Sequence, residues 1–369
     1  MIRNSNEGRE FVKELIRQPM KFVFGVNQAI FMTVLAFITP MKRDDKFGKK
    51  PAQAHVYLED LHGRGKTAIL IHLSAALNAD ISKFVGTVDI MPKDLTGKEE
   101  RDIITGARTL MKGPLHCHVL AYDELTRTPA KSLSALLTAM EGAHVMMNVT
   151  NPNTGFIESK PFPLYPVPGD PKERDFFIVL ATANPIELEG TFPLSPAQQD
   201  RFTYRLNIGL PSREEEMKIR SENVVNEKVE VIGDLSDLLD IIEMVDSLKL
   251  SQQANALMQC YLDNSRPYSR DIEDFGEKRK RYADSDLVDF INKYVASGCS
   301  PRRNYHLEAA AKAFAWFHGE EEFVYTKHLK AIVPSTMRHI FMLQPAALSD
   351  EITPRLIVEK ILLDTPIPK

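Results

Sequence analysis

The chain has 369 residues, of which 43% are hydrophobic and 26% are charged, and its formal net charge is −4. Domains commonly span about 100–200 residues, so this length predicts two domains, each long enough to bury its own core. The small negative net charge argues against a general binder of nucleic acids or of anionic membranes.

The first predicted elements are helices, which extend to about Thr39 with a turn over residues 22–28. The apolar run at 29–38 is shorter than the ~18 residues of a membrane span and lies too far inside the chain for a signal peptide, so we expect a buried helix. Three scattered cysteines lack the spacing of a zinc site or a disulfide framework, which favours reduced thiols and a cytoplasmic location. Residues 43–51 are basic and polar and predict an exposed connection.

The next motif is a phosphate-binding turn between an apolar strand at 55–59 and a helix that begins near Lys66. It matches G-x-x-x-x-G-K-[ST] except at the first position, where Asp60 replaces glycine. Backbone N–H groups and the helix N-terminus of such a turn bind phosphate oxygens. Lys66 would reach the β- and γ-phosphates of ATP, and Thr67 would offer its hydroxyl to Mg²⁺. The predicted nucleotide contacts are Gly63, Arg64, Gly65, Lys66, Thr67 and Ala68.

A second strand and turn carry two adjacent acids. Apolar residues at 118–122 lead into Asp123 and Glu124, and a helix is predicted to follow, with Thr128 as its cap and Pro129 as its first residue. Parallel sheets bind ligands outside the carboxyl ends of their strands. We therefore predict that Asp123 joins Thr67 at Mg²⁺ and that Glu124 polarises the attacking water.

Two segments interrupted by glycine and proline are predicted to lie outside the core, namely an exposed hairpin or loop at 84–97 and a proline-rich hairpin or loop at 149–171. After the second segment, residues 176–182 form an apolar run typical of a buried parallel strand. Asn184 follows this strand. It would position the attacking water or contact the γ-phosphate, unless it only closes the turn before Pro185.

Arginines supply the remaining candidates. Arg201 would contribute positive charge to the phosphoryl group across a subunit boundary, and the alternative is an ion pair with Asp200. Arg302 would reach back to the same phosphates from the start of a helix, unless it is a surface arginine. Arg127 and Arg205 are alternates for these roles.

The composition changes at residues 209–211, beyond which the pattern predicts helices. Ser212 and Glu215 form a capping box. The predicted helices that follow are 235–248, 253–262, 286–296, 305–318 and 326–331. The expected architecture is therefore an α/β domain with a parallel sheet at 1–209 and an all-helical lid domain at 210–369, with a charged insertion near 264–283.

Several longer stretches resemble one family over nearly the whole chain. They are MPKDLTG at 91–97, GPL at 113–115, AYDELTR at 121–127, ATANPIELEGTFPL at 181–194, AQQDRF at 197–202 and SPR at 300–302. Together they resemble the MoxR-type AAA+ ATPases of the helix-2-insert clade. The chain departs from that family at Asp60 and His62, where the family has glycine and proline, and in its two insertions at 150–171 and 264–283.

The resemblance implies a P-loop nucleoside triphosphatase fold and an ATP-driven ring, usually a hexamer. It also implies chaperone-like remodelling or activation of a partner protein, often one with a von Willebrand factor A domain. Residues 84–97 would then form the extra hairpin of this clade, facing the pore or the partner.

The leading hypothesis is an ATPase whose cofactors are ATP and Mg²⁺. The alternative is a nucleotide-dependent scaffold or switch with weak or no hydrolysis, because the carboxylate of Asp60 would repel the phosphates. A third hypothesis, a nucleic-acid remodeller, depends on the basic run at 278–281, and the acidic balance of the chain argues against it.

Overall fold

The computed structural model describes residues 2–45, 48–59, 66–102, 104–164, 175–183, 191–209, 211–221, 229–267 and 285–368, with the backbone alone for 42–45, 48–53, 66, 67, 219 and 221. The chain forms two compact units. The first comprises residues 1–38, 42–194 and 206–241, and the second comprises 39–41, 195–205 and 242–369. The basic run at 278–281 and nearly all of the predicted charged insertion lie outside the described residues.

Helices and strands alternate through the first half of the chain. In order they are α1 Ser5–Met20, α2 Asn27–Phe37, β1 Pro40–Asp45, β2 Gly48–Gln53, β3 Val56–Glu59, α3 Lys66–Ala76, β4 Ile81–Val85, α4 Pro92–Thr96, β5 Gly97–Arg101, β6 Arg108–Lys112, β7 Val119–Asp123, α5 Ala130–Gly142, β8 His144–Thr150, β9 Ile157–Pro163 and β10 Ile178–Ala183.

The second half is mostly helical. Its elements are α6 Pro196–Gln199, β11 Tyr204–Asn207, α7 Arg213–Ser221, α8 Leu235–Asp246, β12 Lys249–Leu250, α9 Gln252–Asn264, α10 Ser285–Tyr294, β13 Val295–Ser297, α11 Arg303–Phe317, β14 Phe323–Val324, α12 Thr326–Met337, β15 Met342–Leu343, α13 Pro345–Ser349 and α14 Pro354–Asp364. None of the helices in the described ranges is both long and apolar enough to cross a bilayer.

A five-stranded sheet forms the centre of the first unit. Its strand order is β11-β3-β10-β7-β4, and β11 has its last two residues in this unit. The central strand β10 runs parallel to β3 on one side and to β7 on the other, and β7 runs parallel to β4. Every residue of β10 is buried, as are the first four of β7. The predicted parallel sheet and its two apolar strands are therefore confirmed.

Helix α1 packs against both α2 and α3, and α3 also contacts β7. Helix α1 begins after Asn4, whose side chain accepts a hydrogen bond from the Glu7 N–H at 3.0 Å, so one otherwise unpaired amide of the first turn is satisfied. Helix α2 buries Ile30, Val34 and Phe37 almost completely. It is the buried helix that the apolar run at 29–38 predicts.

One antiparallel hairpin follows α4 and a second follows α5. The position of the first corrects the prediction for residues 84–97. Strands β5 and β6 pair from Gly97–Lys112 to Arg101–Arg108, so the hairpin lies beyond residue 96. Residues 84 and 85 belong to the parallel strand β4, and 92–96 form α4. The strands of this hairpin are largely exposed and polar, so they lack the period-2 apolar pattern that marks a strand in a sequence. A hairpin does occupy the first part of the segment predicted at 149–171, but its first strand β8 begins earlier, at His144, and pairs with β9, while 165–174 lie outside the described residues.

Smaller corrections concern local hydrogen bonding. Residues 43–51 do not form only a connection, because β1 and β2 pair as a two-stranded sheet. Thr128 does not cap α5: its hydroxyl is buried and shares a 2.7 Å hydrogen bond with Tyr122, and the helix begins at Ala130 with Pro129 as its cap. The capping box is confirmed, since Ser212 N–H donates to Glu215 Oε2 at 2.7 Å and Glu215 N–H donates to Ser212 Oγ at 3.3 Å.

The second unit contains a helical cluster in which α11 packs against α9 and α12, and α12 also contacts α14. Trp316 on α11 is fully buried at its centre. Apart from the first residues of β1 and β11, the described part of this unit is helical with two short strand pairs, β12 with β14 and β13 with β15. Pairs of two or three residues carry too little periodicity to be read from a sequence.

Folding should be sensitive to acid at His116, which is buried in the first unit. Burial, assisted by the positive charge of Lys112, lowers the pKa of His116 to about 4. The unfolded chain then takes up a proton below pH ~6.5 that the folded chain does not, so stability is full above that pH and falls toward pH 4. We expect His116→Gln to lose less unfolding free energy than the native chain between pH 7.5 and 5.5, by about 1 kcal/mol in urea titrations. An unchanged pH slope in the variant would contradict this assignment.

Candidate functional site

The parallel register brings the carboxyl ends of four strands to one edge of the sheet. Ala183 at the end of β10 lies opposite Glu59 at the end of β3, and Val85 at the end of β4 lies opposite Asp123 at the end of β7. Ligands of parallel α/β sheets bind outside this edge. The turn after β3 and the acid pair after β7 are thus presented on the same side, with β10 between them.

The phosphate-binding turn predicted between β3 and α3 is partly described. Strand β3 ends at Glu59 and α3 begins at Lys66, so Lys66 and Thr67 occupy the first turn of the helix, and Ala68 next to them is half-buried. The unpaired amides of a helix N-terminus attract anions. Asp60, Gly63, Arg64 and Gly65 lie outside the described residues.

The two predicted acids lie where the sequence places them, at the end of a buried strand. Asp123 is the last residue of β7, and Glu124 follows with φ +53°, in the left-handed region that side-chain-bearing residues rarely adopt. Both side chains are half-buried. Glu124 Oε2 lies 3.1 Å from Arg127 Nη1, so this alternate arginine contacts the acid pair directly.

Two residues that the sequence interpretation missed hold the acid pair. The Thr182 hydroxyl on β10 donates a short hydrogen bond to Asp123 Oδ1 and accepts one from the Glu124 N–H at 3.2 Å. The Gly86 N–H donates to the Asp123 carbonyl at 2.8 Å, and a Cβ at Gly86 would overlap the Glu124 carbonyl oxygen. A threonine within an otherwise apolar strand, two residues before Asn184 in the sequence, was the available signal. Asn184 itself lies outside the described residues.

Arg201 and Arg302 both belong to the second unit. Arg201 follows α6 and is half-buried, and Arg302 is exposed at the N-cap of α11. The alternative interpretation of Arg201 as the ion-pair partner of Asp200 is wrong. The Asp200 carboxylate instead contacts Arg303, with Oδ1 2.7 Å from Nη2, and accepts a hydrogen bond from Ser300 Oγ at 2.6 Å.

Arg303 is fully buried and clamps the segment that carries Arg201. Its guanidinium donates to the Asp200 carboxylate from Nε and Nη2. It also donates to the main-chain carbonyls of Asp200, Phe202 and Thr203 at 3.1–3.4 Å. Burial lowers the pKa of Arg303, and the Asp200 carboxylate opposes that shift. The arginine pair 302–303 gave no sequence signal for which member turns inward.

One family profile matches part of this chain, and individual relatives match most of its length. A profile described as the ATPase family associated with various cellular activities matches residues 55–159 and 170–204. Chaperone MoxR1 of Mycobacterium tuberculosis is 30% identical over 327 residues, which cover 86% of this chain and 75% of that protein. An uncharacterised protein of Bacillus subtilis, YeaC, is 30% identical over 317 residues, with 86% of each chain covered.

A more distant relative and a solved structure agree with these matches. Protein MoxR of Paracoccus denitrificans is 24% identical over 303 residues, or 80% of this chain and 81% of that protein. The crystal structure of an ATPase candidate from Cytophaga hutchinsonii superposes with a TM-score of 0.78 at 26% identity, covering 99% of this chain and 97% of that one.

The Arg303 clamp leads to a stability prediction. Arg303→Met should destabilise the fold by about 3–5 kcal/mol, because it leaves the buried Asp200 carboxylate without its cation. The matched control is Arg355→Ala, which removes an exposed arginine paired with Glu359 and should leave the free energy of unfolding nearly unchanged. Urea unfolding of the two variants measures both values, and equal losses would contradict the clamp.

Proposed function

The chain belongs to the MoxR-type AAA+ ATPases, and we propose that it binds ATP with Mg²⁺, hydrolyses it, and uses that energy to remodel or activate a partner protein. Membership of this family agrees with the resemblance in the sequence, and with the parallel sheet it establishes the predicted P-loop α/β fold class. The observation that carries the proposal is the acid pair at the end of β7, on the sheet edge where β3 leads into α3. We assign residues 1–209 to the nucleotide-binding domain and 210–369 to the lid.

In this proposal the phosphates of ATP bind at the N-terminus of α3. Six residues would provide the contacts: Gly63, Arg64, Gly65, Lys66, Thr67 and Ala68. Backbone amides and the helix dipole favour the negative charge, and the Lys66 ammonium neutralises part of it. The end of β3 at Glu59 and the start of α3 at Lys66 support this placement.

The donor set suits Mg²⁺ carried by the nucleotide. Mg²⁺ keeps several waters and is bound by phosphate oxygens and one or two protein oxygens. Asp123 and Thr67 would supply those oxygens. Across the described ranges no three His, Cys, Asp or Glu side chains cluster as a chelating site.

Hydrolysis would depend on charge placed around the transferred phosphoryl group. Glu124 would orient the attacking water and accept its proton, and Asn184 would hold that water or the γ-phosphate. Arg201 from a neighbouring protomer and Arg302 from the lid would stabilise the charge that develops on the phosphoryl oxygens. The Arg303 clamp supports the role of Arg201, because it restrains the backbone on both sides of that residue.

We further propose that the protein assembles as a homo-oligomeric ring, a hexamer in the leading version. Its client would be a protein, with a von Willebrand factor A domain as the first candidate. The name of the mycobacterial relative, a chaperone, supports a client of this kind. The three cysteines are free and buried, which agrees with the expected cytoplasmic location.

The first test separates binding from turnover. Lys66→Ala should lose the rise in melting temperature that Mg²⁺ and ATP give, a stabilisation of ~2.7 kcal/mol at 100 times Kd. Glu124→Gln should retain that rise while phosphate release falls at least ~100-fold. The controls Lys13→Ala and Glu10→Gln remove one exposed ion pair on α1 and should match the native chain in both assays.

The same assays test the scaffold alternative. Asp60→Gly should bind ATP more tightly if the native carboxylate repels the phosphates. A native chain that binds ATP but releases phosphate as slowly as Glu124→Gln would favour the non-hydrolysing scaffold. A native chain without any nucleotide-dependent stabilisation would overturn the proposal.

A mixing experiment tests the role of Arg201. Arg201→Ala should bind ATP normally and lose ~10³-fold in turnover, since a charge-stabilising arginine contributes that much in related reactions. Mixing Arg201→Ala with Glu124→Gln should restore part of the phosphate release, because the second protomer supplies Arg201 to a site whose Glu124 is intact. Co-assembly of the two variants without any recovery would contradict a role across the protomer boundary.

A further inference from the structure

We propose that Thr182 is a positioning residue for the acid pair, whose hydroxyl holds the carboxylate of Asp123 for Mg²⁺ and fixes the turn that aims Glu124. This inference rests on the proposed ATPase function and deepens it. It assigns a role to a side chain on β10, the strand that lies between β3 and β7.

The hydrogen-bond directions at Thr182 are unambiguous. The Glu124 amide can only donate, so Thr182 Oγ1 accepts from it at 3.2 Å. The hydroxyl proton is then directed to Asp123 Oδ1, and this charge-assisted bond is the stronger of the two. One hydroxyl thus joins both acids through two different groups.

Burial gives these bonds their weight. Thr182 is 2% exposed, so loss of its hydroxyl would remove a hydrogen-bond partner of the Glu124 amide and of Asp123 Oδ1 in a site of low dielectric. Within the described residues Oδ1 is the bonded oxygen of Asp123, and Oδ2 keeps its lone pairs for a ligand. The hydroxyl therefore selects which carboxylate oxygen is available.

The backbone at Glu124 needs support of this kind. A left-handed conformation is unfavourable for a residue with a side chain, such as Glu124, and it persists where surrounding contacts hold it. The flanking contacts are the Gly86 N–H on the Asp123 carbonyl at 2.8 Å and the Arg127 N–H on the Glu124 carbonyl at 3.0 Å. Thr182 supplies the remaining bond, to the Glu124 amide. That bond connects the turn to the central strand.

The experiment compares Thr182→Val, which keeps the shape but removes the hydroxyl, with Thr182→Ser, which keeps the hydroxyl. The matched control is Thr336→Val, at a fully buried threonine on α12 whose hydroxyl donates to the Ile332 carbonyl at 3.0 Å. Two readouts are taken on the full chain: phosphate release, and the Mg²⁺ concentration that gives half of the melting-temperature rise with a non-hydrolysable ATP analogue.

We expect Thr182→Val to need about 10- to 100-fold more Mg²⁺ and to release phosphate more slowly by a similar factor. This range is typical for the loss of a group that orients a metal ligand. Thr182→Ser should stay within about 3-fold of the native chain in both readouts, and Thr336→Val should not change the Mg²⁺ requirement. A purely structural role for Thr182 would lower the melting temperature without moving the Mg²⁺ midpoint.

Each other outcome counts against the inference. A native Mg²⁺ midpoint in Thr182→Val, or a serine variant as impaired as the valine variant, would overturn it while leaving the ATPase proposal intact. A native chain that shows no Mg²⁺-dependent binding of the analogue would overturn the ATPase proposal and this inference with it. If Thr182→Val does not fold, Thr182→Ala takes its place in the comparison with serine.

Discussion

The constraint on which the structure of the first unit depends is the parallel register of β3, β10 and β7. Because these strands run in the same direction, each ends at the same edge, and whatever follows each strand is presented there. The helix N-terminus at Lys66 follows β3, and the acids at 123 and 124 end β7. Positive and negative groups suited to a phosphate and its metal ion are therefore brought to one edge by main-chain pairing.

Contacts from neighbouring strands then hold the acid pair that the register brings to this edge. Strand β10 is buried along its whole length, so a polar side chain on it must find partners within the protein. Thr182 finds them on the neighbouring strand end, at the Asp123 carboxylate and the Glu124 amide. Gly86, after β4, allows its own backbone to approach the same turn closely. The strands on both sides of β7 thus contribute to holding the acid pair.

In the second unit, too, one buried side chain holds a segment of the main chain. The buried Arg303 guanidinium donates the hydrogen bonds that water would otherwise make to the Asp200 carboxylate and to three main-chain carbonyls around residue 201. His339 adds to this restraint, since its Nε2–H donates to the Phe202 carbonyl at 3.0 Å. These main-chain hydrogen bonds fix the backbone on both sides of Arg201, whose side chain is half-buried.

Much of this arrangement could be predicted from the sequence, and the reasons for success and failure are physical. Strands β7 and β10 are apolar runs because both of their faces are covered, and such runs are visible without a structure. The hairpin β5–β6 was displaced in the prediction because its exposed strands carry no apolar alternation. The acids are predictable from their place at a strand end. Thr182 and Arg303 are not, because their partners are distant in sequence: those of Thr182 are 58 and 59 residues away, and those of Arg303 are 100 or more residues away. Roles at 63–65 and 184 rest on the motif and the family alone.

The most direct measurement is a crystal structure of the chain with Mg²⁺ and a non-hydrolysable ATP analogue. We expect phosphates at the N-terminus of α3 and a Mg²⁺ ion, at about 2.0–2.1 Å from its ligands, contacting Asp123 directly or through one water. A nucleotide bound away from the carboxyl ends of β3 and β7, or a Mg²⁺ ion with neither Asp123 nor one of its bound waters in its coordination sphere, would contradict this expectation.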